Sequence, residues 1–386
     1  MKIAHVECLV VHPGWRKNFI FVRVETACGV VGWGEAYSQY DRDRPIAAQV
    51  EELGRYLVGR DPFRVRHFLQ IAYDDYAQRR PSLEYWCAVS GIEQALWDIM
   101  GKATGQPVHN LLGGACRDRI RVYANGWSYK MQAPEDFARA AEKVVRQGFT
   151  AIKFDPLPRP WRTYVPQQHI DHAAAVLRAV RTAVGPGIDL LLDIHRRLAP
   201  MHAIALARTL AEFAPYWFEE PCQVDNLEAL AEVRAASPMP VVSGEALYGR
   251  ADFRRLFNAR AVDIINPDVS NCGGILELTF IAAAAEAEMV AVSPHNYNST
   301  TLALSATVQA AACMPNFTLT EYFLPYEEFG TVVARNPLLP VDGYITLPEG
   351  PGLGIDILED AVRARPWQGY PPRTFRTHEN DGQVEG

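Results

Sequence analysis

Over the first 40 residues apolar side chains alternate with polar ones. The stretches "KIAHVECLVV" and "NFIFVRVET" are rich in Val, Ile and Phe and predict two strands, and "VVGWGEAY" resumes extended structure after the turn residues "ACG". The polar and aromatic stretch "HPGWRK" joins the first two. From 45 to 112 the period lengthens. "IAAQVEELGRYLVG" and "CAVSGIEQALWDIMGKATGQPVHNLLGG" are helical, with Val89, Ile92, Leu96 and Ile99 spaced by three and four, and Gly101 and Gly105 near the end. A sheet followed by helices predicts an α+β domain over residues 1–118.

At "RIRVYANG" the rhythm changes again. Short apolar runs, "VYANG", "GFTAIKFD", "IDLLLDIH", "YWFEEP", "PVVSGE", "AVDIINPD", "VAVSPH" and "FTLTEY", alternate with amphipathic segments such as "HIDHAAAVLRAVRTAVG". Eight near-continuous apolar strands separated by helices predict an α/β architecture, a parallel sheet covered by helices. An open, doubly wound sheet would give the same alternation, but only strands flanking its switch point would end in functional groups. Here Asp155, Asp193, Glu219, Glu245, Asp268, His295 and Glu321 each follow a strand, and from Asp193 onward they recur every 23 to 27 residues. A closed barrel, whose strand ends converge on one mouth, accounts for this over residues 119–340. The Gly- and Pro-rich segment 341–386 then leaves the barrel and is expected to pack on the first domain, with an irregular, partly disordered end.

With 386 residues, 48% of them apolar, the chain can bury a large core. Its 38 basic and 45 acidic residues give a net charge of −7 with no dense Lys/Arg run, which argues against a nucleic-acid partner. Seven dispersed cysteines form no CxxC pair, and neither a disulfide framework nor a zinc-thiolate site is expected. No signal-peptide pattern is found, and no uncharged run approaches the roughly 18 residues a membrane span needs. A cytoplasmic protein without membrane association is the expectation.

Three of the strand-end groups, Asp193, Glu219 and Glu245, lie on consecutive strands. Adjacent strands are about 5 Å apart, so their side chains can reach one point, where three carboxylates repel unless protons or a cation neutralise them. Each alone could be a helix cap or a loop charge. Together, as hard oxygen donors without a thiolate, they suit Mg²⁺. Within "FEEP", Glu219 faces the mouth if Phe218 faces the helices. Residues two apart on a strand share a face, so His195 is expected in the same cavity as Asp193, and Lys153 beside Asp155. Lys153 could meet a substrate carboxylate, and Asp155 a hydroxyl. Across the mouth, Asp268 next to His295 would fix the imidazole tautomer and raise its basicity, although a loop cap is the bland alternative. Glu321 could be protonated and donate to a developing oxyanion, or pair with a cation.

This constellation resembles the enolase superfamily, in its mandelate racemase branch. The resemblance runs through "GWGE" (32–35) and "GIEQALWDIMGKATGQPVHNLLGG" (91–114) to about residue 356. It implies an α+β capping domain, completed by the C-terminal segment, on a modified TIM barrel, (β/α)₇β. It also implies Mg²⁺ on Asp193, Glu219 and Glu245, and a base that removes the proton α to a carboxylate. Where the branch carries Lys-x-Lys, this chain reads "KFD": Lys153 is kept and Asp155 replaces the second lysine. The "DIH" of residues 193–195 is similar instead to the acid-sugar dehydratases, galactonate dehydratase among them.

On that resemblance His295, oriented by Asp268, is the expected base, and His195 the acid for a departing β-hydroxyl. Lys153 and Glu321 complete the catalytic set. The expected activity is dehydration of a sugar acid, with racemisation, epimerisation or cycloisomerisation as alternatives through the same enediolate. The 12–17 loop is either an ordinary hairpin or a lid, and the resemblance favours a lid bringing His12, Trp15 and Arg16 to a small carboxylate substrate. Tyr37 and Asn296 are expected to line the same space. The resemblance further implies a homo-oligomer.

Overall fold

The computed structural model describes residues 1–39, 42–76, 82–159, 162–297 and 299–369. Strands β1 (Ile3–Val11), β2 (Phe19–Thr26) and β3 (Val31–Ala36) form an antiparallel sheet in that order. The helix Leu83–Thr104 lies on it, its N-terminus capped by Ser82, whose hydroxyl accepts from the Tyr85 N–H, and its end turned by Gly105 at φ 67°. Close approach of helix and sheet requires glycine. A Cβ on Gly32 would stand 2.1 Å from the Ala95 carbonyl oxygen, and one on Gly34 2.0 Å from that of Gly91. Gln94 then pairs with the edge of β3, accepting from the Glu35 N–H at 3.1 Å and donating to the Glu35 carbonyl at 3.0 Å.

Eight parallel strands follow: β4 (Arg119–Asn125), β5 (Ala151–Phe154), β6 (Asp189–Asp193), β7 (Trp217–Glu219), β8 (Val241–Ser243), β9 (Ile264–Ile265), β10 (Ala291–Val292) and β11 (Thr320–Phe323). Each of β4 to β10 pairs with the next or is joined to it by bridge contacts, β11 pairs with β4, and the Val292–Phe317 bridge closes the ring. Among the described residues one helix follows each of the first seven strands, from Pro134–Arg146 to Thr301–Ala311. The expected modified TIM barrel, (β/α)₇β with an N-terminal cap, is the observed fold. A further strand, β12 (Tyr344–Thr346), runs antiparallel to β4 at its start.

Period-two alternation places the site. Tyr123, Ala151, Leu191, Trp217, Val242, Ile264 and Leu319 point inward and form an apolar plug, while their neighbours Val122, Ile152, Leu190, Leu192, Phe218, Val241 and Ile265 pack outward under the helices. Each of the buried Val, Leu, Ile and Phe side chains among them contributes on the order of 1.5–3 kcal/mol. Two residues further along six of these strands stand Asn125, Lys153, Asp193, Glu219, Asn266 and Glu321, a polar layer resting on the plug.

The cap is tied to the barrel through buried acids. Glu35 accepts from the N–H groups of Thr300 (3.1 Å) and Ala303 (3.1 Å) at the start of the helix Thr301–Ala311. Glu93 does the same for the helix Ile275–Ala287, accepting from Ile275 at 2.6 Å and Leu276 at 2.9 Å. After the barrel the chain returns to the cap. The Leu353 N–H donates to Asp98 at 2.9 Å, Arg363 pairs with Glu7 at 2.6 Å, and Val11 bridges to Pro366. Residues 370–386, which include the end expected to be partly disordered, lie outside the described residues. Among those described, no helix is long and apolar enough to cross a membrane.

Candidate active site

Asp193 ends β6 and Glu219 ends β7, each in phase with the inward plug. Glu245 lies two residues beyond β8. It follows Gly244, whose φ of 143° turns the chain off the strand, so a strand-end position was expected but a loop supplies the carboxylate. One oxygen from each of the three acids comes within 4.8 Å of the others. Phe218 packs outward, so Glu219 rather than Glu220 faces the mouth. Glu220, at φ 47°, turns away and accepts from the Ser243 hydroxyl and the Gly244 N–H, both at 2.9 Å.

The triad fits a hard divalent cation. Glu219 is fully buried, and its Oε2 makes no hydrogen bond among the described residues. Burial, reinforced by Asp193 and Glu245, pushes its carboxyl up to about 8 despite Lys153. A buried acid with an orphaned oxygen facing two further carboxylates is what a cation would relieve.

Lys153 is buried at the centre of the layer. Its Nζ donates to Glu219 Oε1 at 2.8 Å and lies 3.6 Å from both Asp193 and Glu321. Burial disfavours its charge, but Glu219, Glu321 and Asp193 outweigh that and hold its pKa well above the usual range. Glu321 accepts from the Asn125 side chain and from the Asn296 N–H at 2.9 Å. Lys153 and His295 overcome its burial and lower its pKa, which favours the carboxylate form paired with a cation, here the Lys153 ammonium at 3.6 Å.

His295 is buried. Its Nδ1 lies 2.7 Å from Asp268 Oδ2, and its Nε2 faces Glu245 at 3.0 Å and Glu321 at 3.6 Å. Asp268 is itself held by the Ser270 N–H at 2.8 Å. Burial works against the imidazolium, yet Glu245, Glu321 and Asp268 together raise its pKa well above normal.

His195 reaches the site by a route that strand phase did not predict. β6 stops at Asp193, and His195 and Arg196 form a turn at φ 55° and 59°. The Asp193 carboxylate accepts from the His195 N–H at 3.0 Å and fixes this turn. The ring then lies between Asp193 (Nε2, 3.4 Å) and Asp155 (Nδ1, 3.3 Å). Burial opposes protonation, but the two carboxylates raise its pKa. Asp155 was expected to meet a substrate hydroxyl. In this structure its carboxylate is gripped by Arg197, accepts from the Leu157 N–H at 3.0 Å, and lies 3.3 Å from His195 Nδ1.

Four residues of the site were not anticipated. Asn125 and Asn266, which donates to Glu219 at 3.0 Å, stand two residues beyond the inward Tyr123 and Ile264, so the same-face rule that set Lys153 beside Asp155 could have found them. Arg196, paired with Glu245 and 3.4 Å from Glu220, and Arg197 lie in a left-handed turn and its exit, which no periodicity announces.

The 12–17 loop lies against barrel residues beyond the strand ends. Trp15 packs on Tyr129 and Tyr326, with centroids 6.0 and 5.6 Å apart, and Arg16 donates to the Tyr297 hydroxyl at 2.7 Å. The Tyr297 ring stands 6.0 Å from that of His295, and Tyr37 of the cap stands 6.2 Å from it on another side. His12 accepts from the Gly14 N–H through Nδ1, bracing its own loop. Asn296 is buried, with an Oδ1 that has no hydrogen bond among the described residues.

Known proteins share this arrangement of cap and barrel. Residues 8–113 match the mandelate racemase / muconate lactonizing enzyme N-terminal domain, and residues 136–361 match the enolase C-terminal domain-like family. The chain is 35% identical over 360 residues to D-galactarolactone cycloisomerase of Agrobacterium fabrum, covering 90% of this chain and 91% of that one. It is 35% identical over 372 residues to D-galactonate dehydratase of Ralstonia pickettii, covering 95% and 94%. The solved mandelate racemase/muconate lactonizing enzyme from Jannaschia sp. CCS1 superposes with a TM-score of 0.89 at 31% identity, over 96% of this chain and 99% of that one. With both of its parts matched and relatives this similar end to end, the chain belongs to the enolase superfamily, in its mandelate racemase branch.

Proposed function

We propose that the protein is a Mg²⁺-dependent acid-sugar dehydratase that converts a sugar acid into a 2-keto-3-deoxy acid. The observation that carries this reading is the pair of imidazoles set against carboxylates, His295 hydrogen-bonded to Asp268 and His195 lying between Asp155 and Asp193, around one lysine and three clustered acids. Asp193, Glu219 and Glu245 would hold the ion, which supplies positive charge opposite the substrate carboxylate as negative charge builds there.

Lys153 adds a second cation at the same place, fixed before reaction begins. Glu245 is foremost among the carboxylates that favour a proton on His295. With its charge taken up by the ion it would no longer do so, and His295 then takes the α-proton on Nε2 while Asp268 keeps Nδ1–H in place. The electron pair left behind forms the enediolate and then expels the C3 hydroxyl. His195, kept protonated by Asp193 and Asp155, gives that oxygen its proton, so water leaves and the enol tautomerises to the keto acid. Trp15 and Arg16 close the mouth against solvent, and Tyr37 and Asn296 face the substrate. The division of the chain near 118 and 340, and assembly as a homo-oligomer, belong to the same reading.

Likeness to a D-galactarolactone cycloisomerase favours one rival, in which a ring ether oxygen takes the place of the hydroxyl as leaving group. A panel of mono- and diacid sugars incubated with the protein and Mg²⁺ separates the two. Accumulation of 2-keto-3-deoxy acids is expected. Turnover of lactones alone, or α-deuterium exchange in D₂O with no keto acid from any acid sugar, would overturn dehydration.

A further inference from the structure

The opposite end of the barrel carries a second concavity. Arg117, Asp118, Arg119 and Arg121 at the start of β4, Phe317 and Thr318 before β11, and Tyr344 of β12 line an open concavity of about 530 Å³. That is within the size range of small-molecule sites. The lining has three arginines to one aspartate, in a chain of net charge −7. Two of the arginines are fastened. Arg117 donates to the carbonyls of Ala311 (2.5 Å) and Met314 (2.8 Å) and stacks over Phe317, and Arg121 pairs with Asp189 at 2.7 Å and Thr150 at 3.0 Å.

Arg119 differs. Its guanidinium carbon lies over the Tyr344 ring, 4.1 Å from the centroid, yet it makes no hydrogen bond or ion pair among the described residues. A stacked guanidinium with open N–H donors, between two anchored ones, is preorganised for a multiply charged oxyanion, since its planar fork matches phosphate oxygens two at a time. We propose that this cavity binds a small phosphate-bearing polyanion, with Arg119 as the principal contact. β4 has its start here and its end at Asn125 in the catalytic layer, roughly 20 Å apart at the usual rise per residue, so an occupant would not compete with substrate.

Calorimetric titration of the full-length protein with inorganic pyrophosphate, metal-free and at fixed NaCl concentration, tests this. Saturable one-to-one binding is expected. It should weaken at least about tenfold in Arg119→Ala, the loss of one charge-assisted contact, tighten in Asp118→Asn, and stay unchanged in Lys153→Met of the catalytic layer. Arg119 is exposed, and an unaltered melting temperature would show that its replacement leaves the fold intact. Heats without saturation, equal affinity in Arg119→Ala, or loss in Lys153→Met would each overturn the site. Citrate binding as tightly as pyrophosphate would overturn its assignment to phosphate.

Discussion

The Nδ1 of His295 sits 2.7 Å from the Asp268 carboxylate while the opposite ring nitrogen faces Glu245 at 3.0 Å. One contact sets the tautomer, and the other points the reactive nitrogen at the place where the cation would lie. If His295 is the base, His295→Asn should abolish α-proton exchange into D₂O, a loss of about 10²-fold to 10⁴-fold. Asp268→Asn should lower kcat more than it raises KM, because it disturbs the tautomer rather than binding. Exchange at the wild-type rate in His295→Asn would remove His295 from the mechanism.

His195 and Asp155 form the other pair, and their separation from His295 allows the two half-reactions to be uncoupled. His195→Asn should retain exchange while elimination falls by about 10² or more. Asp155→Asn should weaken elimination less, since Asp193 still faces His195 at 3.4 Å. Elimination at full rate in His195→Asn would show that another group protonates the leaving oxygen.

Much of this site was legible in the chain because a parallel strand obeys one simple rule. Apolar residues alternate inward and outward and the strand ends converge on one mouth, so Asp193, Glu219 and Glu321 were found as strand-end groups and Lys153 by sharing a face with Asp155. The rule fails where the strand stops. Gly244 swings Glu245 inward from a loop, and paired left-handed residues carry His195 and Arg196 round a turn whose dihedrals no hydropathy pattern encodes. The grip of Arg197 on Asp155 was hidden because the two are 42 residues apart and meet only once β5 and β6 are paired. The buried acids of the cap were equally silent. Glu35 and Glu93 read as ordinary helix and strand charges until the barrel helices they cap are in place.

Metal affinity should depend on pH in a definite direction. Burial and its acidic neighbours push the Glu219 carboxyl up to about 8 in the metal-free protein, so below that pH a cation must displace a proton to bind. The association constant for Mg²⁺ should rise by up to about tenfold per pH unit toward pH 8 and level off above it. Calorimetry near pH 7 in buffers of different ionisation enthalpy should detect about one proton released. Glu219→Gln should lose tight binding, and chelation should stop turnover without unfolding the protein.

The 12–17 loop offers a test of closure. Arg16 is held by the Tyr297 hydroxyl at 2.7 Å, and Tyr297 flanks His295. Tyr297→Phe removes one charge-assisted hydrogen bond, worth about 1.5–3 kcal/mol. If the loop closes over substrate, KM should rise about tenfold with a smaller change in kcat, and Arg16→Ala should do the same without adding to it. Additive effects of the two substitutions would show that the residues do not act through their contact.

The seam between the helix Leu83–Thr104 and the sheet of the cap is closely packed, and it makes a prediction about stability as well as function. A Cβ on Gly34 would lie 2.0 Å from the Gly91 carbonyl oxygen and 2.9 Å from the Ala95 nitrogen, both backbone atoms of the helix Leu83–Thr104 that cannot rotate away. Gly34→Ala must therefore push the helix from β3, at a cost of about 3 kcal/mol. The displacement also moves Glu35, whose carboxylate accepts from Thr300 and Ala303 just past β10, so activity should fall further than the loss of folded protein explains. Gly187 is the control. Nothing lies within 4 Å of a Cβ there and its φ is not positive, so Gly187→Ala should leave the melting temperature level or raise it slightly. Thermal melts of the two variants with kcat measured on the folded fraction decide the matter, and a Gly34→Ala protein as stable and active as wild type would mean that the seam is far looser than these contacts require.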